Sequence, residues 1–151
     1  MNVTLREINA NTVRDVCRLA VAPPQQAFVA PNAFSLAQAL FSEEAWYRAV
    51  HDGDQLVGFV MVYDESQRKN PPAEPKIGLW RLMVDQRYQR RGIGREIVNK
   101  VLEHARSRGR FKELFTSFVP HPEGPGEFYL RLGFAPNGEV DEGETVVVKQ
   151  L

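Results

Sequence analysis

Trp80-Arg81-Leu82-Met83-Val84-Asp85-Gln86-Arg87-Tyr88-Gln89-Arg90-Arg91-Gly92-Ile93-Gly94 opens a run that continues to Gly109 and decides the fold. Leu79–Val84 reads as a strand, Asp85–Arg91 as a short basic loop, and Gly92-Ile93-Gly94 as the entry to a helix. Ile93, Ile97, Val98, Val101, Leu102 and Ala105 recur at helical spacing and make one apolar face about 100° wide. Gly109 stands where a left-handed C-terminal cap belongs. The other end is unusual: no Ser, Thr or Asp caps the first turn, and two glycines occupy its place. First-turn N–H groups therefore lack a side-chain partner, and the helix dipole adds partial positive charge there. Arg87, Arg90, Arg91 and Arg95 surround the spot. A phosphate or pyrophosphate satisfies all of these donors at once.

Two common phosphate motifs fail. A P-loop needs Gly-Lys-Ser/Thr, but Arg95-Glu96 follows Gly94; a dinucleotide fingerprint needs a third glycine where Ile97 stands. What remains, Gln89-Arg90-Arg91-Gly92-Ile93-Gly94, resembles the Q/R-x-x-G-x-G/A segment of the GCN5-related N-acetyltransferases (GNAT). The strand ending Leu82-Met83-Val84 before it and Phe128-Tyr129-Leu130-Arg131-Leu132-Gly133-Phe134 after it match the family's spacing. The likeness runs from Val3 to the end of the chain.

That resemblance implies an α/β fold with a central mixed sheet flanked by helices, in which two parallel strands splay apart to admit a cofactor. It implies acetyl-CoA as acetyl donor, with the phosphates held by Gln89, Arg90, Arg91, Gly92, Ile93, Gly94 and Arg95. Backbone groups of Leu82, Met83 and Val84 would pair with the pantetheine arm like an added strand. Tyr129 matches the tyrosine that protonates the departing thiolate, whose thiol has a pKa near ~8.5. Where the family often has an asparagine and an alanine ahead of this tyrosine, the chain has Pro122 and Pro125, which leaves the asparagine's contact to pantetheine without a counterpart. The general base is not readable; Glu7, Glu74, His121 and Glu123 are the candidates. Gln25, Gln26, Phe28 and Glu74 are candidate acceptor contacts, and no metal is assigned. The ending Gly133–Lys149, with Glu139, Asp141, Glu142 and Glu144, looks like that of bacterial spermine/spermidine acetyltransferases. A small-molecule amine, a polyamine in particular, is thus the expected substrate. A protein N-terminus or lysine, or a non-catalytic acetyl-CoA sensor, are the alternatives.

Elsewhere, Val3–Ile8 alternates as a first strand, and Asn9 or Asn11 can cap a helix over Val13, Val16, Cys17, Leu19 and Ala20, ended by Pro23-Pro24. Ser35 can cap a short helix through Phe41. Trp46–Val50 and Gln55–Tyr63 read as a hairpin turning at Asp52-Gly53, with Gly58 marking a bulge or close approach. Asp64–Lys76 is a polar, proline-rich loop. Strand Glu113–Val119, a short helix Phe128–Leu132 and strand Glu144–Lys149, after a turn at Gly138 or Gly143, complete a β-α-α-β-β-β-α-β-α-β order.

Length and composition set the outer limits. At 151 residues the chain is expected to be one domain, 1–151. Nineteen basic residues balance nineteen acidic ones, so no global field points to nucleic acid or a membrane surface. Nine of the basic residues fall between Arg87 and Lys112, a local patch suited to a polyphosphate. Cys17, the only cysteine, is expected as a small buried residue. Without a signal peptide or an apolar run near 18 residues, a cytoplasmic protein is expected, with a homodimer as one open arrangement.

Overall fold

The computed structural model describes all residues from Met1 to Leu151. In chain order the elements are β1 (Val3–Arg6), α1 (Val13–Arg18), α2 (Asn32–Ala39), β2 (Ala45–Asp52), β3 (Gln55–Asp64), β4 (Ile77–Val84), α3 (Ile93–Ser107), β5 (Glu113–Phe118), α4 (Gly126–Arg131), β6 (Ala135–Asp141) and β7 (Glu144–Gln150). Seven strands form one sheet in the order β1-β2-β3-β4-β5-β7-β6. Every neighbouring pair is antiparallel except β4 and β5, so the sheet is mixed as expected.

β3 divides the core between the two faces of the sheet. Val60 and Val62 face the layer formed by α3, where Ile93, Ile97, Val98, Val101, Leu102 and Ala105 are buried, as the spacing predicts. Phe59 and Met61 face the other way, against Val16 and Leu19 from the α1 region and Leu36 and Ala39 of α2. Alternation along one strand thus feeds two apolar clusters, the pattern of a central strand covered on both sides. Burying each of α3's larger apolar side chains is worth about 1.5–3 kcal/mol, so packing rather than capping holds this helix in place.

Three expectations need correction. Ala135–Asp141 is a strand, not a connection. Pro136, Asn137 and Gly138 hide it, its seven residues are all exposed, and its pairing with β7 shifts register between Pro136 and Val140. The turn therefore falls at Glu142-Gly143. Cys17 is exposed, because α1 is only six residues long and buries Val16 alone. Ser35 does not start α2; Pro31 does, and Ser35 lies buried within the helix.

Candidate functional site

β4 and β5 pair only at Ile77 with Leu114 and at Gly78 with Phe115. Past these pairs the strands part, and the Thr116 hydroxyl donates to the Leu79 carbonyl at 3.1 Å, across the start of the gap. β4 continues to Val84 with its other edge paired to β3. Its edge toward the gap thus carries backbone groups that β5 does not pair. Such an edge accepts an extended ligand as an additional strand. Gly58 of β3 lies so close behind that a Cβ there would collide with the carbonyl oxygen of Met83, so the glycine is the close backbone approach anticipated for it.

The gap opens into two cavities. The first, about 560 Å³, runs along the end of β4 to the start of α3. It brings together Leu82, Met83, Val84, Gln89, Arg90, Gly92, Ile93, Gly94 and Arg95 from the predicted donor set. Gly92 at the N-cap has φ +84° and makes no side-chain cap bond, so the first-turn donors remain free. Arg90 also has positive φ, 61°, which bends this short stretch out of ordinary extended geometry. Left-handed residues alternating with others, here Arg90 and Gly92 on either side of Arg91, turn successive backbone N–H groups toward one concave side, an arrangement that favours anions.

Two members of the set do something else. Arg91 is not in the lining; it folds back to the Arg87 carbonyl at 3.3 Å, its guanidinium over the Tyr88 ring. Gln89 uses its side-chain amide as a clasp, donating to Val84 O (2.9 Å) and to Gln25 Oε1 (2.8 Å). A second clasp went unseen in the sequence. The buried Asp85 accepts from the Ala20 N–H (3.0 Å), the Arg87 N–H (3.0 Å) and the Arg87 guanidinium (2.8 Å). Burial pushes its carboxyl up, but these donors outweigh it and hold the group below the usual carboxylate range. It ties the chain after α1 to the loop that leads into α3.

The second cavity, about 680 Å³, is enclosed by the Gln26–Pro31 loop, α2, β4, β5, α4 and the β6–β7 hairpin. Gln26 and Phe28 line it, as proposed for acceptor contacts, whereas Gln25 lines the first cavity and Glu74 lies exposed in the proline loop, away from both. Phe28, Val29 and Leu82 belong to both linings, so the two cavities meet at these side chains. Tyr129 lines the second cavity, with Thr116 beside it. It is only 7% exposed, packed edge-on to Phe128 and Phe134 and stacked with Phe118. Desolvation pushes its phenol up to about 12, with the Thr116 hydroxyl a partial offset. It therefore stays protonated throughout the neutral range.

Asp141, Glu142 and Glu144 contribute a carboxylate side to this cavity. Glu144 is fixed by the Ser117 hydroxyl at 3.1 Å; burial raises the Tyr63 phenol, and the fields of Glu65, Glu44, Asp141 and Glu139 add to it. Opposite in sign stands Arg81, which in the sequence reads only as a strand residue. None of the four candidate bases lines the second cavity. Glu7 is exposed, 3.8 Å from Arg48; His121 packs on Phe28 and accepts from the Glu123 N–H; Glu123 borders the first cavity.

The gap between the parallel strands thus leaves an unpaired strand edge, with a glycine-opened helix start along one cavity and a buried, protonated tyrosine in the other. The profile of the acetyltransferase (GNAT) family matches residues 13–134, and the chain belongs to that family. Over its full length, and over the full length of the relative, it is 28% identical to the spermine/spermidine N(1)-acetyltransferase of Bacillus subtilis. Among solved structures, an acetyltransferase from Thermus thermophilus superposes with a TM-score of 0.74 at 19% identity, covering 100% of this chain and 98% of that one. The PaiA N-acetyltransferase of Thermoplasma acidophilum, solved with coenzyme A, superposes with a TM-score of 0.68 at 16% identity over all of both chains. No helix here is long and apolar enough to cross a membrane.

Proposed function

We propose that the chain, acting as a single domain, transfers the acetyl group of acetyl-CoA to a primary amine of a small polycationic acceptor of the spermine/spermidine type. The observation that carries this reading is the meeting of the two cavities at Phe28, Val29 and Leu82, one lined by the glycine-opened helix start and the other by Asp141, Glu142 and Glu144. In this reading the pyrophosphate takes the free N–H groups around Gly92 with Arg90 and Arg95, and pantetheine lies along the β4 edge at Leu82, Met83 and Val84. The thioester then reaches the junction, within range of an amine held in the second cavity.

The amine nitrogen attacks the thioester carbonyl, the C–N bond forms, and the C–S bond breaks. Tyr129 supplies a hydrogen bond and then a proton to the leaving sulfur. Its raised pKa does not disqualify it, because the desolvation that raises the phenol also makes an unsolvated thiolate a stronger base. The acidic side attracts an acceptor carrying further ammonium groups, which supports a polyamine over a neutral amine. Names of the curated relatives point the same way.

The test is an acceptor screen with detection of released coenzyme A thiol across polyamines, amino acids and peptides. Spermidine or spermine should be preferred, with the preference falling as salt screens the carboxylates. A tenfold preference for a neutral amino acid or a peptide N-terminus overturns the acceptor assignment.

A further inference from the structure

The reaction needs a neutral amine, yet a primary alkylamine has a pKa near ~10.4 and arrives as an ammonium ion. None of the sequence candidates for a base lines the acceptor cavity. What does line it is a guanidinium. Arg81 sits one residue before the proposed pantetheine strand, opposite Met61 on β3, and faces α2. Its Nη2 donates to Gln38 Oε1 at 2.9 Å and its Nη1 to the neighbouring Trp80 carbonyl at 3.2 Å. Its Nε is buried with no partner at all. No carboxylate forms an ion pair with it. Its guanidinium has two neutral acceptors and lies 5.7 Å from the centre of the Trp80 ring, but no anion neutralises it, and a half-buried cation without a counter-ion is unfavourable for folding.

We infer that Arg81 does by charge what a base would otherwise do: its fixed positive field in the acceptor cavity expels a proton from the bound ammonium and keeps the attacking amine neutral. This rests on the assignment of the second cavity to the amine, not on the identity of the amine. The ammonium gives one proton to solvent; the neutral amine attacks; as the C–S bond breaks the sulfur leaves as a thiol protonated by Tyr129, and the second amine proton returns through water to the Tyr129 oxygen. A neighbouring cation is a known way to lower an amine's pKa in an enzyme site.

The other titratable groups facing the cavity are Tyr63 from β3, Tyr129 from α4, Asp141 and Glu142 at the β6–β7 turn, and Glu144 on β7. Both tyrosines are held neutral by burial, raised above the ordinary phenol range. The α2, Gln26–Pro31 and Phe115–Val119 walls add no titratable group. The three carboxylates oppose Arg81. Asp141 and Glu142 are exposed, however, where water screens them, whereas at equal distance a charge in the protein wall acts about fourfold more strongly. Desolvation pulls Arg81 itself below the usual guanidinium value, with Glu144 the single charge acting the other way. The cavity is thus polarised: its cationic inner wall disfavours charge on the reacting nitrogen, and its anionic side favours charge on a distant one.

The decisive readout is the acid limb of kcat, which reports the amine in the bound complex, whereas kcat/KM reports the free amine. Spermidine is the first acceptor, and the fastest amine of the screen is used if it differs, so failure of the polyamine assignment leaves this test standing. A roughly 6–8 Å charge–charge distance at an effective dielectric near 20 predicts that Arg81→Gln moves that limb up by about one to two pH units. Turnover near neutral pH should fall about 10- to 100-fold and recover as the pH rises. Arg81→Lys, which keeps the charge, should leave the limb near its wild-type position. An equal loss at every pH, or an unchanged profile, overturns the inference, as does a limb that disappears in Glu144→Gln while Arg81→Gln leaves it in place. Enhanced turnover of acceptors bearing a carboxylate, lost in Arg81→Gln without a pH shift, assigns Arg81 to anion recognition and also overturns it.

Discussion

The donor cavity and the acceptor cavity are built in opposite ways. Just over half of the proposed donor side comes from one stretch, Leu82 to Arg95, and the groups assigned there to the cofactor are largely backbone. The acceptor side draws on segments from Gln26 to Val146, and its ligand groups are side chains. A backbone site depends on glycines and on the few clasps that fix the loop. A side-chain site depends on how distant elements are brought together. Damage should therefore be sharp and local on the first side, graded and charge-dependent on the second.

The largest expected effect lies at Tyr129. Tyr129→Phe keeps the ring packing and removes the proton, so kcat should fall by about 10²–10⁴-fold. Affinity for acetyl-CoA should barely change, because the loss is confined to the transition state. Turnover within about a factor of three of wild type in steady-state assays, against the 10²–10⁴-fold range for acid catalysis, would reduce Tyr129 to a packing residue. The loss should shrink with an acyl donor whose thiol is more acidic.

On the donor side, Asp85→Ala removes the acceptor of the part-buried Ala20 and Arg87 N–H bonds and of the Arg87 guanidinium. Hydrogen bonds to a charged acceptor contribute about 1.5–3 kcal/mol each, and less where water can replace the acceptor, so thermal unfolding should begin a few degrees lower and acetyl-CoA affinity should weaken. A variant that melts like wild type would remove Asp85 from the account of the loop.

Tyr129 also makes a prediction about alkali. Its folded pKa, about 12, lies above the unfolded value of 10.0, so the folded state favours the protonated phenol. The corresponding stability is fully present below pH ~10 and is lost as the pH rises through ~12, amounting to about 2–3 kcal/mol. Denaturant unfolding of wild type should weaken by that amount relative to Tyr129→Phe across this window. Parallel curves would mean the phenol is not desolvated.

The smallest effect belongs to the acidic side. Glu144→Gln retains an oxygen to accept the Ser117 hydroxyl but loses the charge. KM for spermidine should rise a few-fold, on the order of 1 kcal/mol for a partly screened charge, with flatter salt dependence and unchanged acetyl-CoA affinity. An equal rise for a neutral amine would show a loss of shape, not of charge.

The same contrast explains what could be read from the sequence. α3 was legible because one periodic face and two flanking glycines lie within thirty residues, and the loop before it because its chemistry is local. β6 was not, since a strand exposed along all seven residues leaves no alternation to find. Glu74 was misplaced because nothing local tells which acid of a surface loop reaches a cavity. Arg81 escaped notice for a related reason. Within Leu79–Val84 it reads as one polar residue in an apolar strand, and only the parting of β5 and the position of Gln38 show that it faces a cavity.

The most direct test of the two-cavity account is calorimetric titration of acetyl-CoA into wild type and Gly92→Val. A side chain at Gly92 meets only the Met1 side chain within the protein, at 3.5 Å, but its φ of +84° suits glycine, and a Cβ there blocks close approach of a pyrophosphate to the backbone. The account predicts at least a roughly tenfold weaker Kd, ~1.4 kcal/mol, with circular dichroism unchanged. A variant that keeps both its fold and its wild-type affinity would contradict the placement of the cofactor, and with it the division of the site into donor and acceptor cavities.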